Sequence, residues 1–243
     1  MRMRHVGVPV LVLASMTLAA APASAKAVQI PIKDMDGSNL LNRDAIVNGT
    51  SGDIDSGQGG ADFTGKSYIT QTAANAVCTN DPTGLQDDGI YPANTKHPKV
   101  DLPYNNNSNG KNVRTIGPST SALNTFTIGV PKAHYSGMHV FGASSGESNI
   151  DVQLNYTDGT NTLKSVTFWD WFDPDPDSGY VLIGGTDRAK ANGSECFDDN
   201  AANIYGFKVP ADKDKRIKSV TLTRTDANSA NSMLFGLTAK VAD

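Results

Sequence analysis

The stretch from Ile150 to Tyr156 restricts the fold of this chain more than any other. Ile150, Val152, Leu154 and Tyr156 alternate with Asp151, Gln153 and Asn155, the period of a strand with one face in a core and one in water. Asp158-Gly159 follows, and Leu163 to Phe168 reads as a returning strand. A tight turn needs positive φ, which Gly takes freely and Asp tolerates, so the segment predicts an antiparallel hairpin.

Further strand-like runs lie on both sides. Phe126, Ile128 and Val130 alternate within 125–130, and Gly137 to Gly142 is a compact apolar run. Tyr180–Ile183, Asn203–Val209, Ile217–Leu222 and Met233–Ala239 follow, with Val28–Ile32 and Lys99–Leu102 upstream. The best helical candidate, Ser67–Val77, is interrupted by Thr and Asn. With 23 Gly and 12 Pro marking turns, about ten strands predict an all-β antiparallel β-sandwich or jelly roll. A hydrophobic fraction of 38% and a charged fraction of 19% exclude a disordered tail. The net charge of -4 argues against a nucleic-acid binder, which carries a basic stripe.

Residues 1–25 read as a secretory signal peptide: a basic start with Arg2 and Arg4, an apolar run to Ala21, Pro22, and Ala23-Ser-Ala25 as the cleavage signal. The run is short and Ala-rich for a membrane anchor. The expected mature chain, 26–243, is a single domain with no membrane span. Its cysteines, Cys78 and Cys196, are expected to form a disulfide in an oxidising, extracellular or periplasmic compartment.

Several motifs resemble the galactose-binding-like jelly-roll domains appended to secreted bacterial glycoside hydrolases and peptidases. They are Met138–Gly146, Val152–Thr160, Asp170-Trp-Phe172, Asn203-Ile-Tyr-Gly206, Lys215–Leu222 and Leu234–Ala239. Ala61–Gly65, Asp88–Pro92 and Gly110–Val113 fit more loosely. The resemblance implies a β-sandwich with an accessory role, often carbohydrate attachment. The expectation is a free-standing module without an attached catalytic domain.

The densest cluster of recognition chemistry is Trp169 to Asp177, which holds both tryptophans. The C–H face of a sugar packs on an aromatic ring while neighbouring polar groups bind hydroxyls. Trp169, Trp171, Tyr180 and Arg188 are therefore the candidate ligand-binding residues, with polysaccharide or glycan as partner. The competing reading makes one or both tryptophans core. Trp169, opposite Phe168 and Val166, leans to the surface. Asp173, Asp175 and Asp177 alternate with Pro and could supply oxygens to Ca²⁺; the alternative is a solvated acidic turn. Asp34–Asn39 and Asp53–Asp55 are weaker clusters of the same kind.

Catalysis is the thinner reading. The mature chain has two Glu, Glu147 and Glu195, both in expected turns, and no nucleophile elbow or metalloprotease motif. His139 sits in an apolar run, and a His134–Tyr135 lyase pair remains open. The expectation is a secreted, non-catalytic carbohydrate-binding module. The alternatives are a small secreted polysaccharide-active hydrolase or lyase, and a surface or matrix protein without a sugar ligand.

Overall fold

The computed structural model describes residues 26–43, 45–47, 65–105, 111–173, 176–190 and 195–242. The architecture is all-β and largely antiparallel. In chain order the elements are β1 (Ala27–Ile30), β2 (Ile46–Val47), β3 (Lys66–Ile69), α1 (Gln71–Val77), β4 (Ile90–Tyr91), β5 (Val100–Asp101) and β6 (Arg114–Ile116). Then come β7 (Thr125–Ser144), β8 (Ser148–Tyr156), β9 (Asn161–Phe168), β10 (Tyr180–Lys190), β11 (Cys196–Pro210), β12 (Arg216–Arg224) and β13 (Ser232–Val241). The helical candidate is thus divided, Ser67 to Ile69 going to a strand and only Gln71–Val77 to a helix.

The β8–β9 hairpin forms as the alternation predicts, with Ile150, Val152, Leu154 and Tyr156 buried. Its loop spans 157–159: Tyr156 N–H donates to Thr160 O (2.9 Å), and Gly159 takes φ 88°. Asp158 Oδ1 accepts the Thr160 N–H at 2.9 Å.

The twenty-residue β7 organises the rest. Its first half, to His134, pairs with β12, which continues to β8 and β9. Its second half pairs with β11 on one side and β13 on the other. The second ladder extends through β10, β3 and β2 at one end and through β1 and β6 at the other. The two ladders meet in one core, where Phe168 of β9 stacks on Phe207 of β11 with ring centroids 5.4 Å apart. Gly142 permits this approach: a Cβ there would lie 2.2 Å from the Phe168 ring.

Side-chain alternation puts Met138, Val140 and Gly142 on the Phe168 side and His139 and Phe141 on the other. That other side is also buried, because residues 85–105 lie over it. A Cβ at Gly236 would meet Leu102 at 2.7 Å and Phe141 at 3.9 Å, and His97 stacks on Tyr180 at 5.6 Å. Cys78, which caps α1, is disulfide-bonded to Cys196 at the start of β11. The bridge fixes α1 to the β10–β11 end of the sheet, as the sequence anticipates.

Candidate functional site

The acidic aromatic loop begins where β9 ends. Ser144 N–H donates to Trp169 O (2.9 Å) and Trp171 N–H donates to Ser144 O (2.8 Å), so the chain continues beside β7 for one bridge. A turn then closes through Asp173 N–H to Asp170 O (2.9 Å), with Phe172 N–H on Asp170 Oδ1 (3.0 Å). Two side chains of β11 hold this turn. Asn203 Nδ2 donates to Trp171 O (3.2 Å) and Asp173 O (3.3 Å), and Tyr205 Oη donates to Asp170 O (2.6 Å) and to Asp173 O.

The turn sends two adjacent rings in different directions. Trp171 is 1% exposed and meets Tyr68 edge-on at 5.0 Å, whereas Phe172 is 36% exposed. Between them lies the Arg188 guanidinium of β10, its central carbon 3.7 Å from the Phe172 centroid, 5.2 Å from Trp171 and 5.7 Å from Phe197. Asp199 accepts from its Nε (3.1 Å) and Nη2. Nη1 is buried and has no hydrogen-bond partner among the described residues. A buried donor without an acceptor is costly, on the order of 1–3 kcal/mol. Asp170 lies beside the group; burial pushes its carboxyl above the usual range, the Phe172 N–H and Arg188 oppose that, and Asp173 adds to it.

Two of the four expected ligand residues, Trp171 and Arg188, are therefore brought together, but with the Trp171 ring enclosed. Trp169 corrects its surface reading: it is 8% exposed, and its Nε1 donates to Ser178 O at 3.0 Å. The strand stops before it, so alternation from Phe168 does not set its direction. Tyr180 joins a separate buried cluster, its Oη 2.9 Å from His139 Nδ1. A Cβ at Gly206 would lie 2.3 Å from the Tyr180 ring, so glycine there admits it. Burial first, then Lys208, His97 and Lys240, lower the His139 pKa to about 4.

Sequence reasoning misses Phe172 as a contact residue, along with Phe197 and Asp199. Phe172 stands in the quoted Asp170-Trp-Phe172 motif, but only the turn geometry shows which ring reaches water. Among the described Phe, Tyr and Trp residues it is the exposed one.

Of the expected calcium ligands, Asp173 is half-buried, Asp177 is exposed, and Asp175 lies outside the described residues. Asp34 Oδ1 is engaged by its own turn, accepting from Asp36 N–H (3.0 Å) and Ser38 N–H (2.8 Å); Asp53 and Asp55 lie outside the described residues. Among the described residues, the one group of three potential metal ligands within 4.8 Å is Cys78, Asp187 and Cys196. Both its sulfurs are spent in the disulfide. The His134–Tyr135 pair is separated by orientation, Tyr135 Oη donating inward to Pro131 O (2.9 Å) and His134 remaining exposed.

A second polar region covers the outer face of the first ladder. Thr125, Thr223, Asp151 and Ser165 form one cross-strand row, and Thr127, Thr221, Gln153 and Leu163 the next. The Oγ1 atoms of Thr125 and Thr223 are 2.8 Å apart and those of Thr127 and Thr221 2.9 Å. Asn155 Nδ2 reaches Ser219 Oγ (3.2 Å) and Thr221 Oγ1 (3.0 Å). These groups largely satisfy one another, so they offer a ligand less than the Arg188 corner does.

Scans of the sequence against protein-family models and against curated proteins give no match. Among the described residues no helix is long and apolar enough to cross a membrane.

Proposed function

We propose that this chain is a secreted, non-catalytic carbohydrate-binding module that engages its glycan at the Phe172–Arg188 corner. The observation that carries the reading is an exposed ring backed by a buried guanidinium. Phe172 supplies the apolar face for sugar C–H groups, the Arg188 guanidinium stacks behind that ring, and Asp199 and Asp173 supply acceptors for hydroxyl protons. On this reading the two-ladder fold is a galactose-binding-like jelly roll, and the disulfide suits an extracellular or periplasmic protein. Calcium, if used, is held at the acidic loop by Asp173, Asp175 and Asp177; a calcium-dependent rise in melting temperature is the check.

A glycan titration followed by tryptophan emission tests the proposal, because Trp171 lies 5.2 Å from both Phe172 and the Arg188 carbon. A saturable change with an intact glycan recovered afterwards supports it. Turnover of the glycan instead supports a polysaccharide-active enzyme. No response to neutral or acidic glycans supports a surface or matrix protein, a reading favoured by the buried tryptophans and the self-satisfied polar face.

A further inference from the structure

Asp187 of β10 is fully buried, and among the described residues no Lys, Arg or His lies within ion-pair reach of it. Arg188 beside it turns instead to Asp199 and the Phe172 ring. Two backbone groups answer the carboxylate: Oδ2 accepts the Thr83 N–H (2.8 Å) and Oδ1 the Asn200 N–H (3.3 Å). A carboxylate has about four acceptor sites, so part of its capacity is left over. Buried charges are ordinarily paired or coordinate a metal.

The donors nearest to hand are sulfurs. A carboxylate oxygen of Asp187 and the Sγ atoms of Cys78 and Cys196 all lie within 4.8 Å of one another. As a disulfide the two sulfurs are bonded to each other. As two thiols they are soft donors beside a hard anion, a set that suits Zn²⁺. The backbone gathers the three residues without help from the bridge. Cys78 N–H donates to Ala74 O (2.8 Å) at the end of α1, and Lys190 N–H donates to Glu195 O (2.9 Å) just before Cys196. Asp187 N–H donates to Thr83 O (3.0 Å), and a Cβ at Gly84 would lie 2.6 Å from Gln71 N, so 83–84 lies tight against the start of α1.

We infer that the dithiol state of this chain, the state in which it is synthesised, binds one Zn²⁺ through Cys78 Sγ, Cys196 Sγ and the Asp187 carboxylate. Each thiol loses its proton as its Zn–S bond forms, so two protons leave per ion and no electron moves. The three protein donors leave the fourth tetrahedral position to a water. The ion is the countercharge that Asp187 lacks. Metal and disulfide exclude each other because they use the same sulfurs, and either one clamps α1 to the β10–β11 end of the sheet.

Cobalt(II) titration of the full protein, reduced with a phosphine and then freed of it, tests this. One Co²⁺ per chain should give the near-ultraviolet band of thiolate ligation and should be displaced by Zn²⁺. The oxidised protein and Cys78→Ser/Cys196→Ser should give no such band. Asp187→Asn should keep the band but bind at least tenfold more weakly. X-ray absorption at the zinc edge of the reduced parent protein should show two sulfur neighbours at about 2.3 Å with oxygen neighbours completing the site. No band in the reduced parent protein overturns the inference, as does equal affinity in Asp187→Asn, or a zinc with no sulfur or with more than two. A reduced parent protein that stays unfolded with zinc present overturns it as well. If Asp187→Asn fails to fold when reduced, the sulfur and oxygen count at zinc decides. Glycan binding enters none of these readouts.

Discussion

The two halves of β7 belong to one strand but live in different surroundings. In the first half Phe126, Ile128 and Val130 are buried while Thr125 and Thr127 look outward, and β12 lies alongside. From Gly137 to Ser144 every residue is buried, because β9 and its neighbours pack on one side and residues 85–105 cover the other. The first half therefore behaves as the wall of a two-layer structure and the second as the middle of a three-layer one. Substitutions should be tolerated on one face in the first half and on neither face in the second.

The cover offers the largest effects. It is tied down near α1 by the Cys78–Cys196 bridge, which closes a loop with a sequence separation of 118. Replacing both cysteines with Ser should cost roughly 4–5 kcal/mol by the chain-entropy model, measured by urea unfolding. A loss confined to a few tenths would mean that the cover holds without its tether. Next is Phe141→Ala, on the cover side, which should cost about 3–5 kcal/mol if that face is core in the ordinary sense. A value within about 0.5 kcal/mol, the range of surface positions, would return the second half to a two-layer description.

The cover also makes stability depend on pH. His139 is held near a pKa of about 4, against 6.5 for an ordinary histidine. Between those values the unfolded chain binds a proton that the folded chain refuses. Stability should therefore be full above pH 6.5 and fall as pH drops toward 4, by roughly 2–3 kcal/mol from this residue. His139→Gln should flatten that part of the curve. The same slope in parent and variant would place the acid sensitivity elsewhere. Smallest of all is Thr127→Val on the open face of the first half, expected within about 0.5 kcal/mol of the parent.

The same contrast governs what the sequence reveals. Alternation is legible where one face is wet, so Ile150, Val152, Leu154 and Tyr156 read correctly as core. It fails from Met138 to Ser144, where burial on both faces erases the period, and two short strand signals there conceal one long strand. The cover is nearly invisible, since 85–105 has little regular structure beyond the short β4 and β5. At the candidate site, Arg188 and the aromatic run are legible as chemistry. Their exposure is not, because it is set by the Asp170–Asp173 turn and by Asn203 and Tyr205, which lie some thirty residues downstream on β11. Trp169 and Trp171 thus look like a platform in sequence and are packing in the fold, while Phe172 between Trp171 and Asp173 takes the outer place.

The proposed function turns on that ring. Affinity electrophoresis of Phe172→Ala against a glycan that the parent protein retains, with the melting temperature measured in parallel, is the direct test. Loss of a stacked ring worth about 0.5–1.5 kcal/mol beyond its area should weaken retention roughly tenfold, while stability changes little because the ring is partly in water. Unchanged retention with unchanged stability would contradict the assignment of glycan binding to the Phe172–Arg188 corner.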